Sequence, residues 1–213
     1  MTDVIERLYT PDRRARQLGW AMARAFRYEP NVTSMLRDET RRERALAWFF
    51  GSFVVRLGLR YGEVYTTPAG AGGAVWMRPG AHTSLWATLR AGLLAMLLHF
   101  GPSGAFRSAA FGAYVEQIRK TVAPPLHWYL VDLGVDPAAQ GRGLGGALLQ
   151  PVLARADADA MPCYLETFRE RTVTFYKRFG FTVVHTDTIP KGGPPFWCMA
   201  ITPAAPDPVL QVT

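Results

Sequence analysis

The chain has 213 residues, 49% of them hydrophobic, and a formal net charge of +7. That apolar content excludes a disordered or fibrous chain and points to one globular domain over residues 1–203, with a loose tail at 204–213. The positive charge is nearly all arginine, and Arg13, Arg14, Arg16, Arg41, Arg42 and Arg44 are spaced like solvated helix faces without interleaved aromatics, which argues against nucleic acid as a partner.

Asp12 to Phe26 reads as a helix, with Asp12 at its start and Leu18, Ala21, Met22 and Phe26 as its apolar stripe. Tyr28-Glu29-Pro30-Asn31 breaks it. A second helix is expected from about Arg37 to Leu59, closed by Gly62. Glu63–Thr67 and Gly73–Met77 flank a turn and predict an antiparallel hairpin. Residues 83–121 read as helix in two pieces, split by Gly101-Pro102-Ser103-Gly104. Their most apolar window, Ala91 to Leu98, lies between Arg90 and His99 and is too short to cross a bilayer, so no membrane is expected.

Trp128 to Val135 is a strand with a near-continuous apolar run, ended by Asp136-Pro137. A glycine-rich turn, Gln140 to Gly146, leads into a helix with Leu148, Leu149, Val152, Leu153 and Ala156 on one face; Pro151 interrupts its pattern. Pro162–Thr167 reads as a strand, Val173–Arg178 as a helix stopped by Gly180, and Phe181–His185 as a strand. Lys191–Pro195 is a turn, and Phe196–Ile201 is the last strand. This order predicts an α+β fold, a mixed sheet with one parallel βαβ unit at its centre. Cys163 and Cys198 have no metal-like spacing, so no metal is expected and the default setting is the reducing cytoplasm.

Strand, glycine turn and helix together build an anion site, because glycines aim backbone N–H groups and the helix start adds partial positive charge. A Walker A loop is excluded: Gly146-Ala147 stands where Lys and Ser or Thr are required. The dinucleotide fingerprint fits Gly141, Gly143 and Gly146 formally, with Glu166 at the end of the next strand as a ribose ligand. Asp136 to Gln140 intervene before the first glycine, however, and the residues after Glu166 read as a helix and a hairpin rather than further βα units.

The run V-x-P-x-x-Q-G-x-G-x-G from Val135 to Gly145 resembles the acetyl-CoA site of the GNAT superfamily of N-acetyltransferases. The downstream Phe175-Tyr176-Lys177-Arg178-Phe179-Gly180-Phe181 is similar to that family's later segment. Leu165-Glu166-Thr167 and Pro194 to Met199 resemble the branch that includes puromycin N-acetyltransferase. The resemblance implies a GNAT-like mixed sheet and acetyl-CoA as cosubstrate. The cofactor arm would pair with the backbone of Leu133 and Val135, with Gly134 allowing close approach. Gln140, Gly141, Arg142, Gly143, Leu144 and Gly145 would form the pyrophosphate cradle. Thr172 stands where the family usually has Asn, and Thr174 where Pro is frequent. By the same resemblance Tyr176 protonates the departing thiolate. Glu166 is the first candidate base, with Asp132 and His127 behind it, and an amide near Leu133 serves the oxyanion.

The function implied is direct acetyl transfer to the primary amine of a small, antibiotic-like molecule. The chain would act as monomer or homodimer, with Trp48, Phe49, Phe53, Trp86 and Phe100 available to wall the acceptor pocket. The alternatives are a non-catalytic acyl-CoA-binding module and a protein or peptide N-acetyltransferase.

Overall fold

The computed structural model describes residues 4–83 and 85–203. The expected tail at 204–213 lies outside them. Seven strands form one sheet: β1 (Glu6–Leu8), β2 (Gly62–Thr66), β3 (Gly72–Met77), β4 (Trp128–Val135), β5 (Cys163–Thr167), β6 (Thr182–Thr188) and β7 (Pro195–Ile201). Their spatial order is β1-β2-β3-β4-β5-β7-β6. Among the described residues only the central β4–β5 pair is parallel. The mixed sheet with one parallel unit is therefore as expected. Among the described residues no helix is long and apolar enough to cross a membrane.

Among the described residues eight α-helices flank the sheet: α1 (Arg13–Phe26), α2 (Pro30–Met35), α3 (Glu39–Trp48), α4 (Val55–Tyr61), α5 (Leu85–Ala91), α6 (Ala95–Val122), α7 (Leu144–Ala158) and α8 (Glu170–Lys177). The helix expected over 37–59 is a correction. It is α3, then a π-helical turn at Phe49–Val54, then α4. Gly51 of that turn lies against α1, where a Cβ would come within 2.9 Å of the Ala15 carbonyl oxygen. The Pro30 read as a breaker instead occupies the first turn of α2, where its missing N–H removes no hydrogen bond. Strand β1 carried no sequence expectation. The break expected at Gly101 is present: at φ 70°, ψ 164° it leaves helical geometry and Pro102 restarts the helix.

The sheet separates two cores. On one face α1, α3, α4 and the π-helical turn pack Leu18, Met22, Phe50 and Val55 against Val64 and Val75. On the other, α7 packs Leu148, Leu149 and Val152 against Trp76, Leu130 and Leu165. Each of these side chains is nearly fully buried, and burial at this scale supplies roughly 2 kcal/mol per large aliphatic group. Buried Glu63 on β2 accepts from Arg155 of α7 at 2.7 Å and holds that helix to the strand.

Two irregularities in β4 shape the surface around it. First, its pairing with β5 covers only Trp128↔Cys163, Tyr129↔Tyr164 and Leu130↔Leu165, although both strands run further. The strands part there and leave one edge of β4 open. Second, Leu130 faces Trp76 of β3 but Asp132 faces Val75, so Val131 is an extra residue, a β-bulge. After a bulge the alternation of faces is reset. Asp132 thereby joins Tyr129 and Val131 on the α1–α6 face instead of entering the α7 core.

Candidate active site

The glycine turn is built as an anion cradle. Gly141 and Gly143 have φ of 78° and 81°, left-handed values that a side chain would strain. Gly143 is the N-cap of α7 and supplies no capping side chain. No hydrogen bond among the described residues takes up the amides of Gly141, Gly143, Leu144 or Gly145. These donors and the positive end of a fifteen-residue helix converge beside the exposed Arg142.

Gly145 and Gly146 do different work. A Cβ on Gly145 would lie 3.3 Å from Phe175, and one on Gly146 2.9 Å from Phe179. Their bareness lets Phe175 of α8 and Phe179 just beyond it close on the first turn of α7. Gln140 donates through Nε2 to the Val135 carbonyl at 3.0 Å, so its side chain fastens the turn to the end of β4.

The open edge of β4 carries Leu133, Gly134 and Val135, paired with β3 on the other side only. Here one expectation is corrected. Gly134 does not leave room for a ligand, because a Cβ there would sit 2.7 Å from the Phe26 ring and 3.4 Å from Met22. Its space is filled by α1. Thr172 also turns inward: its hydroxyl donates to the Arg169 carbonyl at 2.6 Å and lies 2.5 Å from the Thr167 hydroxyl, tying the start of α8 to the end of β5. Arg169 in turn donates to Glu29 at 2.8 Å and to the Tyr28 carbonyl, which joins the α1–α2 turn to the start of α8.

Beside the parted strands lies a cavity of about 820 Å³ on the α1–α6 face. Asp132 of β4 and Glu166 of β5 both line it. Burial raises the Glu166 carboxyl to about 7, although Tyr129, Arg119 and Tyr164 pull it back. Its Oε1 is buried without a partner. Burial alone raises Asp132 to about 8. Both carboxyls are thus poised to exchange protons near neutral pH. Tyr176, 8% exposed, packs its ring against Phe175 and Phe181. Burial, then the charges of Asp132 and Glu29, raise its hydroxyl well above the ordinary value, so it holds its proton. The tyrosine and Asp132 therefore sense each other across the gap. His127 is placed elsewhere: its Nδ1 meets the Pro124 carbonyl at 2.5 Å and it does not line the cavity.

Of the expected wall aromatics, Phe49, Phe53 and Phe100 line the cavity. Trp48 does not. It stacks on His99 with ring centres 4.2 Å apart. Trp86 is 77% exposed and stands outside. Sequence reasoning missed Phe26, Phe168, Arg119 and Tyr129, which also line it, and Asn31 and Ser108, whose Oδ1 and Oγ are buried without partners. The signal available for Asn31 was Pro30 in a first helical turn, read instead as a stop.

Residues 107–183 match the acetyltransferase (GNAT) domain model. A solved structure from Corynebacterium glutamicum, described as histone acetyltransferase HPA2 and related acetyltransferase, superposes with a TM-score of 0.69 at 20% identity, covering 97% of this chain and 99% of that one. The chain has the GNAT fold. An uncharacterised N-acetyltransferase of Schizosaccharomyces pombe is 32% identical over 118 residues, 52% of this chain and 47% of that protein. A mycothiol acetyltransferase of Mycolicibacterium vanbaalenii is 48% identical over 64 residues, 26% of this chain and 21% of that protein. The matched segment thus spans about half of the yeast protein and about a fifth of the bacterial one. Aedes aegypti arylalkylamine N-acetyltransferase 2 shares the GNAT fold at a TM-score of 0.57 and 13% identity, covering 94% of this chain and 99% of that one. Each of these proteins is described as an acetyltransferase, and the segment 107–183 that matches the domain model contains the cradle, both carboxylates and Tyr176.

Proposed function

We propose that the chain transfers an acetyl group from acetyl-CoA to the primary amine of a small, largely apolar molecule. The observation that carries this reading is the parting of β4 from β5, with two half-buried carboxylates on one side and the Tyr176 helix on the other. The amides of Gly141, Gly143, Leu144 and Gly145, which no hydrogen bond among the described residues takes up, suit a pyrophosphate, and the open edge of β4 suits an extended amide-bearing arm.

In this reading the amine enters the cavity as an ammonium ion and gives a proton to Glu166 or Asp132, directly or through water. Its lone pair attacks the thioester carbonyl. A backbone N–H on the open edge near Leu133 stabilises the oxyanion. The C–S bond then breaks, the Tyr176 hydroxyl protonates the departing thiolate, and the proton that the nitrogen loses as the amide forms returns the tyrosine to its hydroxyl form. The products are the N-acetylated amine and CoA.

The lining favours an acceptor with a bulky apolar body, since phenylalanines 26, 49, 50, 53, 100 and 168 all face it. The segments resembling the puromycin N-acetyltransferase branch support an antibiotic-like amine. Cys163 and Cys198 are free, buried and packed on opposite faces of the sheet, in keeping with the reducing cytoplasm in which we place the reaction. The test is a CoA-release assay against a mixed library of amines and antibiotics. Release with at least one apolar amine supports the reading. Acetyl-CoA binding without release from any of them overturns it and leaves an acyl-CoA-binding module.

A further inference from the structure

A second pocket of about 420 Å³ adjoins the cavity, and Leu36, Phe100 and Pro102 line both. The two volumes differ in chemistry. The larger is mostly apolar, with Asp132 and Glu166 in its lining and Asn31, Ser108, Glu116 and Arg119 as further polar side chains. The smaller is lined by Arg37, Arg41, Arg42 and Arg107, with Asp38 as its one carboxylate. Its wall includes the break in α6, where Gly101 turns away from helical geometry and a Cβ would meet nothing within 4 Å.

The positive charge in this pocket is held in place and is only partly offset, four arginines against the single carboxylate of Asp38. Arg42 is 6% exposed, and its guanidinium donates to the carbonyls of Leu36 at 2.7 Å, Arg37 at 3.2 Å and Arg27 at 3.4 Å. These acceptors are neutral. Arg107 donates through Nε to the Met35 carbonyl at 2.9 Å, another neutral acceptor. Arg37 and Arg41 are exposed at the rim, and no ion pair engages either among the described residues. Asp38 is already committed as the N-cap of α3. It accepts from the Thr40 amide at 3.0 Å, the Thr40 hydroxyl at 2.7 Å and the Arg41 amide at 3.4 Å. A buried guanidinium without a counter-ion is an expensive arrangement that an anion relieves. Planar guanidinium forks match carboxylate and phosphate oxygens.

We propose that this pocket is an anion subsite, which holds a carboxylate or phosphate at the far end of the amine acceptor whose apolar body fills the larger cavity. The proposal rests on the acetyl-transfer reading for the word acceptor and on the arginine pocket alone for the anion. The acceptor class is then an amine with an apolar middle and a remote acid, such as an ω-amino acid or an amino-alkyl phosphate.

The test uses the full chain and a double variant, Arg37→Ala with Arg41→Ala, whose side chains are exposed. A melt followed by circular dichroism checks that the variant is folded, and Arg16→Ala, on the exposed side of α1, controls for lost charge. Calorimetric titration with octanoate, and separately with inorganic phosphate, is expected to show binding weakened about tenfold in the double variant and retained in the control. In the CoA-release assay, the KM for 8-aminooctanoate is expected about tenfold below that for octylamine, and the double variant abolishes the preference. Octanoate and phosphate binding that is absent, or equal in parent and double variant, overturns the subsite. Arginine-dependent phosphate binding with equal KM for the two amines overturns the link to the acceptor and assigns the pocket to a free anion. Arginine-dependent octanoate binding without CoA release from any amine refutes acetyl transfer and leaves the anion subsite standing.

Discussion

Replacing Glu166 by Gln tests whether the carboxylate end of the cavity is dry. Burial lifts this group from its ordinary 4.5 to about 7. At 1.36 kcal/mol per pH unit, that shift corresponds to about 3 kcal/mol. Between pH 4.5 and 7 the folded chain keeps a proton that the unfolded chain has lost. Stability therefore falls as pH rises through this window, and this contribution levels off above about 7. Glutamine is neutral at every pH and removes the contribution. The stability of Glu166→Gln relative to parent should thus rise by about 3 kcal/mol between pH 4.5 and 7.5. Asp132, raised by burial from 3.8 to about 8, acts in the same direction and is present in both proteins, so comparison at matched pH isolates Glu166. Urea unfolding followed by tryptophan fluorescence at half-unit pH steps measures the difference. Parallel profiles for the two proteins would refute the argument, because they would show a carboxyl that ionises at its ordinary pKa in a hydrated site. With Glu166 as the base, kcat/KM of the parent climbs through pH 7 and the variant lacks that limb, whereas with Asp132 as the base the limb lies near pH 8 and survives in the variant.

Tyr176→Phe should lower acetyl transfer by roughly 10²–10⁴-fold while acetyl-CoA binding, read by calorimetry, is retained. Gly143→Ala places a side chain at φ 81°, so it should cost about 1 kcal/mol in a urea melt and weaken acetyl-CoA binding. Gly134→Ala overpacks Phe26 and should destabilise by roughly 1–3 kcal/mol, an effect that Phe26→Leu relieves in the double variant. Ser108→Ala deletes a buried hydroxyl that has no partner, so the ligand-free chain should gain about 1 kcal/mol while KM for the acceptor rises.

The fold was legible where local chemistry decides structure. Asp12 caps α1 through its own carboxylate, accepting the Arg14 amide at 2.8 Å, and Gly101-Pro102 kinks α6 where the sequence placed a break. It was illegible where the partner is distant. Strand β1 is three residues long and exists because β2 pairs with it, which no property of Glu6–Leu8 announces. The π-helical turn depends on the contact of Gly51 with α1, some thirty residues earlier in the chain. Pro30 is ambiguous in principle, since the same residue ends one helix and begins another.

The two sides of the site differed in legibility for a topological reason. The cradle, its glycines and Tyr176 come from β4, α7 and α8, a short continuous stretch whose backbone conformation demands particular residues. Such demands leave a pattern in sequence. The acceptor cavity draws on side chains from Phe26 to Phe168, spread over most of the helices of the opposite face, and any apolar residue of suitable size satisfies it. Even Asp132, which lies within the legible stretch, was hard to place. Strict alternation from Trp128 and Leu130 sends it into the α7 core, and only the bulge at Val131 turns it to the cavity. Gly134 shows the converse: a missing Cβ within the motif region is consumed by Phe26 of α1 and not by a ligand. Substitutions of the cavity lining from Phe26 to Arg119 and at Phe168 should accordingly alter which amine is accepted, whereas those from Leu133 to Gly145 and at Tyr176 should alter acetyl-CoA affinity and turnover for every amine alike.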